Sequence, residues 1–65
     1  MAYLKPEEKF NEMTAKYGSM EKALYWARKV LAQVSTYSEQ LYWEDVVTIA
    51  KIYIKRRNQA NRLYA

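Results

Sequence analysis

Apolar residues recur at helical spacing through most of the chain, in three segments divided by short polar breaks. Phe10, Met13 and Tyr17 form a narrow stripe at i, i+3 and i+7. Pro6 suits a first helical turn, and Glu7 and Glu8 bring negative charge to the positive end of the helix dipole. Gly18 is a natural left-handed stop and Ser19 a natural N-cap. The pattern predicts a first helix over residues 6–17 and the start of a second at residue 20.

Met20, Ala23, Leu24, Ala27, Val30, Leu31 and Val34 share one face of that second helix, which is predicted to run to about residue 34. Trp26 falls at the flank of the stripe. Tyr25 points almost directly away from it, among Glu21, Lys22, Arg28 and Lys29, and is therefore expected to be exposed. Thr36 followed three residues later by Glu39 matches a capping box, which predicts a break and a third helix. Tyr37 and Leu41 can also extend the stripe of the second helix, so one continuous helix is the competing register.

Residues 46–54 are rich in β-branched side chains, as a strand would be. Their periodicity is helical. Glu44, Thr48, Lys51, Lys55, Asn58 and Arg62 recur at threes and fours, while Trp43, Val46, Val47, Ala50, Tyr53 and Ile54 face the other way. With no breaker after Ile54, the third helix should run for about 25 residues, or about 37 Å, against about 22 Å for the second. Its last turns should overhang the body. Arg57 lies in the middle of the apolar face, where a charge is costly unless it snorkels, finds a partner or lies past the core.

The expected fold is thus all-α: one small domain spanning residues 1–65, with two shorter helices and a longer C-terminal one. A chain of 65 residues buries a modest share of its surface. Three short elements also cannot readily cover the apolar face of the long helix, so a second copy set against it, giving a dimeric helical bundle, is expected. The longest apolar run falls well short of a membrane span, and the opening residues contain no apolar signal region. A cytoplasmic protein with no membrane association is expected.

The net charge of +4 is unevenly placed. Residues 1–45 carry six basic and seven acidic side chains, a balance of −1, and residues 46–65 carry five basic and none acidic, a balance of +5. Such asymmetry fits an anionic partner, although basic groups near a helix C-terminus also suit the helix dipole. There is no histidine or cysteine, which removes the usual nucleophiles, acid–base groups and zinc ligands. The single glycine leaves no phosphate-cradling loop of the usual kind. No enzymatic activity, cofactor, metal or small-molecule substrate is expected.

What remains is a surface. Lys51, Lys55, Arg56, Arg57, Asn58, Gln59 and Arg62 unite basic and amide side chains on the third helix, and Tyr25 and Ile52 add apolar groups on polar faces. Aromatics with arginine nearby match the composition of protein interfaces, which favours a self-associating adaptor or regulator with a protein partner. The alternative is DNA or RNA, since Lys and Arg neutralise phosphates while Asn, Gln and Arg reach base edges. Residues 10–29 loosely resemble a helix-turn-helix unit through Met13, Tyr17, Gly18, Leu24 and Ala27, but depart from it at Thr14 and Ser19. Residues 51–54 resemble the core of a homeodomain third helix, but Arg56 stands where that family's adenine-reading asparagine would fall. Neither resemblance assigns a family.

Overall fold

A computed structural model describes residues 4–64, with side chains through residue 60. It contains α1 (Pro6–Tyr17), α2 (Met20–Gln33) and α3 (Tyr37–Tyr64). The local signals act where the sequence puts them. Pro6 opens α1 with Glu7 and Glu8 in its first turn, and Gly18 closes it in the left-handed region at φ 88°, its N–H bonded to the Thr14 carbonyl at 2.9 Å. The Ser19 hydroxyl then accepts from the Lys22 N–H at 3.1 Å and starts α2.

α2 and α3 are separate helices. Val34 adopts extended backbone and forms the C-cap of α2, one residue inside the predicted end. Thr36 Oγ1 accepts from the Glu39 N–H at 3.3 Å, which is the half of the capping box that starts α3. The β-branched run is helical throughout, and α3 has 28 residues, about 42 Å at the usual rise per residue. That accounts for the 43 Å long axis of the molecule, against 18 and 16 Å across.

The core is formed by Phe10 and Met13 of α1, Ala23 and Ala27 of α2, and Val46, Val47 and Ala50 of α3. Phe10 is 1% exposed, a burial that stabilises by roughly 1.5–3 kcal/mol. Three alanines at the centre let the helices approach closely around that ring. Tyr17, Met20, Leu24, Leu31, Trp43 and Tyr53 close the edges as half-buried side chains.

Within one chain the apolar face of α3 is covered in part, with Trp43, Tyr53 and Ile54 left half-buried. Val46 and Ala50 are fully buried within one chain, because α1 and α2 both lie against the same stretch of α3. Two tyrosines tie α3 to the start of the chain as well. The Tyr42 hydroxyl donates to the Leu4 carbonyl at 2.5 Å, and the Tyr53 hydroxyl donates to Glu7 Oε1. Among the described residues, no helix is long and apolar enough to cross a membrane.

Candidate interaction surfaces

The candidate residues of α3 divide into three groups according to where the helix turns them. Lys51, Lys55, Asn58 and Gln59 line an open depression of about 370 Å³ between α2 and α3. Leu24 and Ile54, both half-buried, form its apolar part. This arrangement follows from the helical period, since residues at threes and fours along α3 stack above one another beside α2. The lining offers two ammonium groups and two amides, with no carboxylate.

Ile52 and Arg56 follow round the helix from Gln59, outside the depression, and are exposed, Ile52 at 43%. Leu41 and Tyr37 are exposed too, and the helical period puts them on the same side of α3 as Ile52. Tyr37, Leu41 and Ile52 fall within an arc of about 60° at 100° per residue. Among the described residues Lys51, Lys55 and Arg56 have no carboxylate within ion-pair distance.

Arg57 belongs to neither group. Its angle carries it toward the body, where both guanidinium nitrogens donate to the two carboxylate oxygens of Glu21 at the start of α2. Nη2 also lies 3.4 Å from the Asn58 side-chain oxygen. The bidentate bond holds the Glu21 carboxyl below its ordinary pKa and raises that of Arg57. Arg57, expected among the groups open to a partner, is therefore engaged as an internal tether. The same contact marks where α2 begins along α3, so α3 continues seven residues, 58 to 64, beyond it, about 10 Å. Arg62 lies in that extension, and its side chain falls outside the described residues.

Tyr25 sits on α2, away from the depression, and is 53% exposed as expected. It belongs to a cluster that the sequence did not reveal. Trp26 stacks on Tyr17 of α1 with ring centres 5.6 Å apart and planes 20° from parallel, and Tyr25 meets Trp26 edge-on at 5.5 Å. Lys29 lies 4.9 Å from the Tyr25 ring centre and 5.4 Å from that of Trp26, while Lys16 lies 5.5 Å from Tyr17. The spacing of Lys29 four residues after Tyr25 and three after Trp26 was the available signal. The stacking of Tyr17 on Trp26 depends on how α1 meets α2, which no spacing shows.

A second depression of about 390 Å³ lies at the α2–α3 turn, lined by Thr36, Ser38, Glu39, Tyr42 and Trp43. Among the described residues no group of three acidic, histidine or cysteine side chains is placed to hold a metal ion. No protein-family model, curated protein or solved structure matches the chain.

Proposed function

We propose that the protein is a cytoplasmic, non-enzymatic adaptor or regulator that acts by protein contact and associates with itself. The observation that carries this is the row of Tyr37, Leu41 and Ile52 standing exposed along one side of α3, with Tyr25 and Trp26 exposed on α2. Single exposed hydrophobes are ordinary on any protein. A row of them along a rigid helix, beside arginine and lysine, has the composition of an interface centre with a charged rim.

The test is capture with a tagged chain and two variants, Ile52→Asp and Tyr25→Ala. Both positions are exposed, so helicity should be retained. A partner held by the wild type should be lost from at least one variant. Equal recovery from both would remove these surfaces as the contact.

A second reading is supported by the depression beside Leu24, whose rim holds Lys51, Lys55, Asn58 and Gln59 without an acid. A nucleic-acid phosphate backbone would meet that rim with the amides free to reach bases. Titrating labelled duplex DNA and structured RNA at about 50 and 200 mM salt separates the two, because a phosphate-driven complex loses orders of magnitude in affinity between them. Absence of binding at the lower salt removes the nucleic-acid alternative.

A further inference from the structure

Along α3 the charged residues divide into two halves of opposite sign. Residues 37–50 carry Glu39, Glu44 and Asp45 and no basic side chain, and residues 51–64 carry Lys51, Lys55, Arg56, Arg57 and Arg62 and no acid. On the exposed side, Leu41, Glu44, Thr48, Lys51, Ile52 and Lys55 fall within an arc of about 100° at 100° per residue. All six are exposed, and Lys51 and Lys55 also border the depression beside Leu24.

Among the described residues, neither Glu44 nor Lys51 has an opposite charge within ion-pair distance. Glu44 takes the Gln40 amide at 3.3 Å. The two side chains are seven residues apart, two turns and about 10 Å along the axis, beyond the reach of the i, i+3 and i, i+4 pairs that helices form.

We infer that this face pairs with the same face of a second copy, the two α3 helices running antiparallel, an inference that rests on the protein-contact function proposed above. Centred between residues 47 and 48, such a pair sets Leu41 near the second copy's Ile52, Glu44 level with its Lys51, and Thr48 beside its own counterpart, each within about 3 Å along the axis. The two-fold symmetry repeats each contact, so two apolar and two ionic contacts flank the central threonines. Glu44 and Lys51 also lie to the same side of the seam, as do Leu41 and Ile52, which antiparallel symmetry requires. A parallel pair would instead oppose acid to acid and base to base.

The decisive measurement is sedimentation equilibrium of the full chain from low micromolar to millimolar concentration, with Glu44→Lys and Lys51→Glu alone and mixed. Wild type should dimerise, and each variant alone should weaken the dimer by roughly tenfold or more, since two attractions become two repulsions. An equimolar mixture of the two variants should restore it, because each chain then supplies what the other lacks. The chain has no cysteine, so Leu41→Cys mixed with Ile52→Cys should form a crossed disulfide in preference to either self-disulfide.

A monomer throughout the range overturns the pairing, as does a dimer indifferent to both charge changes or one linked most readily by Leu41→Cys to itself. Binding of labelled DNA by a monomer, abolished by Lys51→Glu, would give the face to nucleic acid instead. A monomer that still captures another protein through Ile52 or Tyr25 removes the pairing and leaves the adaptor function standing. A dimer with the crossed disulfide that captures nothing does the reverse.

Discussion

Residues 37–50 and 51–64 of α3 are equal in length and form one uninterrupted helix, yet the two halves do different work. The first supplies Val46, Val47 and Ala50 to the core and carries three exposed acids, Glu39 in its first turn and Glu44 and Asp45 beyond. The second contributes the half-buried Tyr53 and Ile54, is tethered by Arg57, and leaves Lys51, Lys55, Arg56, Asn58 and Gln59 open. The contrast teaches that a helix can be fixed by one end and presented by the other. Acid toward the N-terminus and base toward the C-terminus also complements the helix dipole, so the division stabilises α3 even without a partner.

The most severe way to probe this contrast is to place the same charge in each half. Ala50→Asp would bury a carboxylate with no partner in a fully enclosed position, at a cost of several kcal/mol, on the scale of the whole stability expected of so small a domain. Loss of the helical circular-dichroism signal at room temperature is the expected result. Lys55→Asp, on the exposed side of the second half, should move the melting temperature by only a few degrees, as surface changes do. Comparable losses from both would mean that the second half is as structurally committed as the first.

A smaller effect is expected where α3 begins. Thr36→Ala removes the hydroxyl that accepts from the Glu39 N–H, a loss of about 1 kcal/mol, or about 4–8 °C in melting temperature for a domain of this size. Thr36→Ser should recover most of it, since the oxygen is what the cap requires. An unchanged melting temperature in Thr36→Ala would show that packing alone starts the helix.

The first half of α3 was more legible in the sequence than the second for a physical reason. Core positions repeat with the helical period, so Val46, Val47 and Ala50 stood out from spacing alone, as did the caps at Ser19 and Thr36 and the stop at Gly18. The angle of Arg57 showed that it needed a partner. That the partner is Glu21 depends on the level at which α2 passes α3, and thirty-six positions separate the two residues. That Lys51, Lys55, Asn58 and Gln59 border a depression beside Leu24 depends on the same crossing. Likewise the exposure of Tyr25 followed from its angle, whereas the stacking of Trp26 on Tyr17 did not.

The mildest test sets the two tethers of the second half against each other through pH. The Arg57 guanidinium holds the Glu21 carboxyl below its ordinary pKa, so the folded chain favours the carboxylate. That contribution is complete above the ordinary glutamate value, about 4.3, and is lost as pH falls through the lower folded value. The bond from Tyr53 to Glu7 acts in the opposite sense. It raises the Tyr53 pKa, so its contribution is complete below the ordinary tyrosine value, about 10, and is lost as pH rises through the higher folded value. Both tethers are exposed, so each effect should be small and best seen as a difference between variants in urea midpoint. Glu21→Gln should flatten part of the acid limb and leave the alkaline limb alone, and Tyr53→Phe should do the converse. If Glu21→Gln left the acid limb unchanged, Arg57 would not hold the second half to α2 in solution, and the open part of α3 would begin one turn earlier.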